Sequence, residues 1–413
     1  MTSHAARTKS YAPVIIACCF GIQAIGIGIY ISYGVFFNSL MTEFSWSRAT
    51  ISGASSLAFF ISGLFGIFIG RLNDRVGPKR IMTVTAVFFG SGCMLMSQLG
   101  AVWQLYLFFG IIFGIGLSSV DVIALTTIAR WFPHKRGLMT GITKVGTGAG
   151  QLCFTLMASF LISGTGWRNA YLVLGAGSLI LLSIIARLIR RDPGAMTDEP
   201  SQRTGRDNTR DDLTFAQATR TVNFWILCLI NLLVVYCLLS ILVHIVPHGR
   251  DVGISPHKAA GVLSTIGGVS MAGRFVIGII IDRIGSKSSM ILSFAILITG
   301  LLWLQLADTL WELYLFAAIY GLAHGGIFTV ISPIVAEFFG TASHGALFGM
   351  VVCFGTTGGA IGPIITGYLF DISHSYTAPF AVVLGVSLAG LILLLLVKPE
   401  ITIQRQPIPG QSK

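Results

Sequence analysis

Charge is scarce in this chain. Asp, Glu, Lys and Arg make up 10% of the residues, where a soluble domain carries about 25%, so water cannot be the solvent for most of the surface. Short strands separated by turns are missing too. The apolar runs are about 20 residues long, the length of a membrane-crossing helix, which excludes a fold of many small strands. Cysteine offers no framework. All seven (Cys18, Cys19, Cys93, Cys153, Cys228, Cys237 and Cys353) lie in apolar stretches. They show neither zinc-type spacing nor an array of extracellular pairs, and are read as reduced core residues. No nucleophile with its base, no phosphate loop and no metal cluster emerges, and the Gly-x-Gly patterns follow no strand. The chain is therefore not expected to be an enzyme, or to hold a metal or cofactor.

What is present is apolar: 54% of the residues are hydrophobic, the composition of an integral membrane protein. Twelve spans are expected, at approximately 13–37, 49–70, 81–100, 103–129, 137–163, 168–189, 223–247, 258–281, 289–307, 312–335, 345–370 and 377–397. The first is too long for a signal-peptide core and has no small-residue cleavage site behind it. The net charge of +11 would suit nucleic acid, but its distribution points to a lipid bilayer instead. With the N-terminus inside, twenty-one of the 27 lysines and arginines fall on the inner side. Only Arg48, Arg168, Arg250 and Lys258 fall outside. This asymmetry fixes both termini in the cytoplasm.

The polar stretch from Arg190 to Thr221 cannot bury enough apolar surface to fold alone and reads as a cytoplasmic linker. It divides the chain into an N-terminal six-helix bundle (1–189), a linker (190–222) and a C-terminal six-helix bundle with a short tail (223–413). The two halves repeat. Gly70-Arg71-Leu72-Asn73-Asp74-Arg75-Val76-Gly77-Pro78-Lys79 matches Gly278-Ile279-Ile280-Ile281-Asp282-Arg283-Ile284-Gly285-Ser286-Lys287 at an offset of 208, which also aligns Glu43 with Asp251 and Ser47 with Ser255. Parallel repeats of six helices are the layout of a transporter that rocks about a site at mid-membrane.

Three charges sit deep in the spans: Arg274, Asp121 and Lys144. Each is disfavoured there by roughly 3 kcal/mol or more, so each is expected to face a cavity or a partner. A guanidinium stays charged and presents a planar fork that fits a carboxylate. Gly267, Gly268, Gly273 and Gly278 leave room around it. The alternative is an arginine tied to carbonyls or snorkelling to the interface. Asp121 and Lys144 fall at similar depth on consecutive antiparallel helices, so an ion pair is expected. It is either a static lock or a coupling pair, in which an aspartate that loses its partner during rocking takes up a proton. His324 is a lone intramembrane histidine, either hydrogen-bonded in a core or lining the cavity. His244 is a similar candidate for the outer vestibule. Tyr33, Tyr236, Tyr320 and Phe328 could wall the cavity or simply pack. The run Gly355–Pro363 permits bending and close helix approach.

The motif Gly-x-x-x-Asp-Arg-x-Gly-x-Lys at Gly70–Lys79 resembles the signature of the major facilitator superfamily, and with twelve spans and a central linker the resemblance covers the whole chain. It implies an all-α membrane protein of two six-helix bundles with pseudo-twofold symmetry, functional as a monomer, with Asp74, Arg75, Asp282 and Arg283 as gating residues. Trp131-Phe132-Pro133-His134-Lys135-Arg136-Gly137-Leu138 onward, with Val35-Phe36-Phe37 and Phe44-Ser45-Trp46-Ser47, looks like the monocarboxylate transporters. His244-Ile245-Val246-Pro247 with Asp251-Val252-Gly253-Ile254-Ser255 resembles bacterial members and the related oxalate/formate exchangers. Arg274 falls where that family keeps a substrate-binding arginine. The resemblance departs at five places, the first being that the acidic-Gly-Gly-Trp opening of animal members is missing before the first span. Ile31 replaces a first-span lysine. Ser270 replaces an aspartate one turn before the arginine. The eleventh span lacks the exchangers' lysine, and Lys144 stands where an apolar residue is usual.

The expectation is a secondary transporter in a bacterial plasma membrane, carrying small monocarboxylates such as lactate or pyruvate with a proton. Arg274, Lys144, His324 and Tyr33 would bind the substrate, and Asp121 would couple the proton. The alternatives are an organic-anion or dicarboxylate exchanger using Lys144 as a second cation, or a sensor that binds a carboxylate without moving it.

Overall fold

The computed structural model describes residues 2–191 and 212–397, with residues 2–9 and Pro256 as backbone only. Most of the expected linker and the C-terminal tail lie outside the described residues. Twelve helices are long and apolar enough to cross a membrane: α1 (Ser10–Phe44), α2 (Arg48–Val76), α3 (Pro78–Gln98), α4 (Val102–Trp131), α5 (Arg136–Thr165), α6 (Trp167–Leu188), α7 (Val222–Asp251), α8 (His257–Ile284), α9 (Ser286–Leu304), α10 (Leu310–Phe339), α11 (His344–Ser373) and α12 (Thr377–Leu396). Among the described residues there is no strand. In lipid a helix is one of the few structures that satisfies its own backbone.

Side-chain caps set several boundaries. Ser47 Oγ accepts from Thr50 N (3.1 Å) at the start of α2, and Thr221 Oγ1 accepts from Phe224 N (3.3 Å) at the start of α7. Glu312 reaches back to Asp308 N and Thr309 N (3.0 and 2.8 Å) at α10. Several helices outrun the expected spans. α1 passes Phe37 to reach Phe44, α7 passes Pro247 to reach Asp251, and α11, whose expected span already ran through Pro363, reaches Ser373. A proline interrupts the hydrogen-bond ladder, but packed membrane helices tolerate it. The repeated signature also shifts. Asp74 and Asp282 lie in the last turns of α2 and α8, and the link to the next helix is a glycine with positive φ, 92° at Gly77 and 83° at Gly285. A side chain there would cost about 1–3 kcal/mol in backbone strain.

Two apolar cores form. One joins residues of α1–α6 such as Ile22, Phe36, Phe89 and Phe113. The other joins residues of α7–α12 such as Phe294, Phe316 and Phe380, with Val122 and Leu125 of α4 added. The halves meet where α2 runs along α11 and α5 along α8. Both crossings are made by glycine. Gly70 lies on the main chain of Gly345, Gly349 on that of Gly66, and Gly137 on that of Gly278. With little side chain between them, the backbones approach closely.

Within the first half, α4 is wound as a π-helix over Tyr106–Phe113. Just beyond, Gly116 lies against the Phe89 backbone of α3, whereas the Cα of Gly177 in α6 faces open space. Gly116→Val should therefore force the helices apart at a cost of about 1–3 kcal/mol. The thermal midpoint of the purified protein in detergent should fall by several degrees. Gly177→Val should leave it nearly unchanged.

Candidate functional site

At the end of the molecule that carries the Gly77 and Gly285 turns, each half caps a helix of the other. Asp74 accepts from Gly345 N (3.0 Å) and Ala346 N (2.9 Å), in the first turn of α11. Asp282 accepts from Gly137 N (2.7 Å) and Leu138 N (2.9 Å), in the first turn of α5. A helix N-terminus offers free N–H groups and the positive end of the dipole, so it suits a carboxylate. Arg130, at the end of α4, adds an ion pair to Asp74 (2.6 Å) and reaches Thr341 O (3.4 Å). Arg75 and Arg283 are exposed and make no such contact among the described residues. The cation at this junction is Arg130, one of the charges expected at the inner side.

Behind these closed crossings, a cavity of about 490 Å³ lies between the halves. Asp121, Lys144, Ser270, Arg274, His324 and Phe328 line it, with apolar residues from both halves. Its charged floor is near mid-membrane. Arg274 is ten residues before the end of α8, roughly 15 Å along the helix axis.

Three of the expected residues are brought into contact. Lys144 Nζ and Asp121 Oδ1 form an ion pair at 2.5 Å, with the lysine buried and the aspartate about 29% exposed to the cavity. Arg274 Nη1 donates to the main-chain carbonyl of Lys144 (2.9 Å), a bond that crosses from one half to the other. Gly141 makes this approach possible, because its Cα lies against the Arg274 carbonyl. His324 Nδ1 pairs with Ser270 Oγ at 2.9 Å, and its ring stands edge-on to Phe328 at 5.0 Å. Ser270 is thus the partner of a histidine rather than of the arginine.

Tyr33 does not join them. Its hydroxyl donates to Ile51 O (2.8 Å) and its ring stacks on Phe109 at 4.2 Å, inside the first half. Tyr30, one turn earlier, lines the cavity instead. Tyr320 is likewise withdrawn, with its hydroxyl on Leu238 O (2.6 Å). Tyr236 is buried away from the lining, whereas Phe328 does line it. His244 is bonded between Pro363 O (3.0 Å) and Tyr376 Oη (3.1 Å), outside the cavity.

Gln23 was not foreseen. It is fully buried in α1, and its Nε2 donates to Asp121 Oδ1 (2.9 Å) and Val120 O (3.2 Å). A lone amide in an otherwise apolar span was the signal that could have found it. Asn231 of α7 is a second case, lining the cavity with Nδ2 donating to Val351 O (2.7 Å).

A family model described as Major Facilitator Superfamily matches residues 16–304 and 247–411. Monocarboxylate transporter 13 of Rattus norvegicus is 27% identical over 380 residues, which cover 91% of this chain and 86% of the relative. Monocarboxylate transporter 12 of Mus musculus is 24% identical over 430 residues, covering 97% and 88%. Among solved structures, the proton:xylose symporter XylE superposes with a TM-score of 0.72 at 16% identity, covering 95% of this chain and 97% of that one. The human organic anion transporter MFSD10 gives 0.69 at 14% identity, covering 93% and 99%. At such identities the solved structures speak for the fold alone. Twelve membrane-crossing helices, a repeated signature whose aspartates cap helices across the two halves, and a family match over most of the length lead to one conclusion: this multi-pass membrane protein belongs to the major facilitator superfamily of transporters.

Proposed function

We propose that the chain carries a monocarboxylate together with a proton, by alternating access of the two bundles 1–189 and 223–413. One observation carries this reading. Of the two cavity cations, Lys144 is held by Asp121, whereas Arg274 has no carboxylate at ion-pair distance among the described residues. With Asp121 ionised, the cavity is left with one net positive charge, which suits a single carboxylate. One guanidinium donor is on a main-chain carbonyl, and the fork has five N–H groups in all. The names of the curated relatives support the carboxylate.

Asp121 is the proton site in this reading. An anion on Arg274 sits beside Lys144 and competes with Asp121 for the ammonium. A proton on Asp121 resolves the competition. Proton and anion then cross as a neutral load, which avoids about 2.3 kcal/mol per unit charge per 100 mV. Lys144, so released, adds a second cationic contact, and His324 with Ser270 supplies a polar neighbour to Arg274. Dicarboxylate exchange without a proton would need both cations free while Asp121 is ionised, and the Asp121–Lys144 pair argues against that. The cavity is built within one chain, which supports function as a monomer.

Asp74 and Asp282 act as the inner gate, since their helix caps join the two halves. The charge asymmetry supports a cytoplasmic location for that gate and for both termini. The bacterial plasma membrane rests on the resemblance to bacterial members; the relatives compared above are mammalian.

Proteoliposomes with an imposed pH gradient test the carboxylate site. Arg274→Ala should reduce uptake of labelled lactate and labelled 3-phenylpropionate to the level of protein-free liposomes, and Arg274→Lys should damage it. Full activity in the alanine variant removes the reading, and saturable binding without uptake by the native chain would make it a sensor. Asp121→Asn should keep exchange of labelled for unlabelled acid but lose its response to the gradient. Unchanged pH dependence would acquit Asp121. For the gate, Asp74→Asn combined with Asp282→Asn should raise the rate at which a maleimide labels Thr140→Cys, a position that is 1% exposed in the closed crossing. About tenfold is expected from two lost helix-terminus interactions.

A further inference from the structure

The cavity is much larger than a three-carbon acid. At about 30 Å³ per water its 490 Å³ would hold roughly sixteen water molecules. An acid with a three-carbon body would displace only a few of them, whereas pockets of this size commonly enclose far larger ligands.

The space is also the wrong chemistry for a small hydroxy acid. Beyond the charged floor its walls are apolar from both halves, with Ile31 and Phe59 facing Val235, Leu239, Leu263 and Ile266. Its hydroxyl groups do not change this, because most have already turned their donors to main-chain carbonyls, and Ser270 is paired with His324 (2.9 Å). Ser62 donates to Phe59 O (2.7 Å), Ser118 to Ile115 O (2.6 Å), Thr147 to Lys144 O (2.7 Å) and Thr356 to Cys353 O (2.9 Å). Tyr30 donates to Ser55 O (3.3 Å). A cargo rich in hydroxyls would find few donors along these walls, while an apolar body would bury its surface against them. The charged groups and the His324–Ser270 pair gather at one end, around Arg274, and away from it the amide of Gln151 also lines the space.

We infer that the cargo is an amphipathic monocarboxylate, with a single carboxylate on a straight-chain or aromatic apolar body of about six to ten carbons and no second charge. This rests on the carboxylate reading above and narrows it. Arg274 holds the head at the floor. The body extends away from the inner gate, between Phe59 of one half and Leu239 and Ile266 of the other. Affinity then comes from the walls as well as from the ion pair, and closing the halves over the body expels the remaining water.

Binding to the purified full chain in detergent tests this, at a pH where every acid is ionised. The probes are lactate, propionate, butyrate, hexanoate, octanoate and 3-phenylpropionate, with methyl octanoate as the uncharged control. Affinity should rise about threefold per added methylene up to the length of the cavity. Octanoate and 3-phenylpropionate should bind at least thirtyfold more tightly than lactate, and methyl octanoate should not bind saturably. Leu239→Asn should flatten the rise per methylene. A flat series, or lactate as the tightest ligand, overturns the inference; if Arg274→Ala still abolishes binding, the carboxylate reading survives. Octanoate binding that persists undiminished in Arg274→Ala overturns both.

Discussion

Arg274 reaches the cavity because two helices from different halves cross with almost no side chain between them. At the α5–α8 crossing the main chains of Gly137 and Gly278 touch, and Gly141 lies on the carbonyl of Arg274 itself. That approach brings the guanidinium within 2.9 Å of the Lys144 carbonyl. At membrane depth a charge must find its partners in the protein or in a cavity that water can enter. A bulkier residue at Gly141 would push α8 away and leave the arginine without this acceptor. The same crossing seals the cavity on the side of the signature turns. One contact thus both positions the guanidinium and closes the cavity beneath it.

The halves are symmetric where they lock together and asymmetric where they would hold a cargo. Asp74 and Asp282 are related by the internal repeat, and each caps a helix of the opposite half. The site does not follow the repeat. The residue equivalent to Arg274 at the offset of 208 is Gly66. In the fold, Gly66 lies on Gly349 where α2 crosses α11. A single position in the repeat therefore carries a charge in one half and a close backbone contact in the other. Duplication accounts for the frame. The site comes from replacing residues on the facing surfaces.

Much of the frame was legible in the sequence, because run length and charge asymmetry respond to the bilayer as solvent. The repeated glycine–aspartate motif was legible for the same kind of reason: it marks backbone that few other residues can adopt. Side-chain direction was harder to read. Tyr30 and Tyr33 are three residues apart, about 60° around the helix, and only the rotation set by neighbouring helices decides which one meets the cavity. Arg75 and Arg130 could not be ranked as partners of Asp74 without knowing that α4 ends beside α2. The expected helix end at Pro247 misled because proline stops helices in water more often than in packed membrane bundles. Gln23 was passed over as one amide among apolar residues, although burying an amide without a partner would cost about 1–3 kcal/mol.

The placement of the charges also changes how coupling must work. Asp121, Lys144 and Gln23 belong to α4, α5 and α1, all in the first half, so a rigid rocking of the halves leaves their contacts intact. The notion that Asp121 loses its partner through rocking does not fit this arrangement. The bond from Arg274 to the Lys144 carbonyl is different, because it joins the two halves. Separating α5 from α8 must break it. On the proposed reading, the arginine would report which side is open and the aspartate–lysine pair what is bound. An anion between them would neutralise Arg274 and draw on Lys144, which would link occupancy to the state of the crossing without any further moving part.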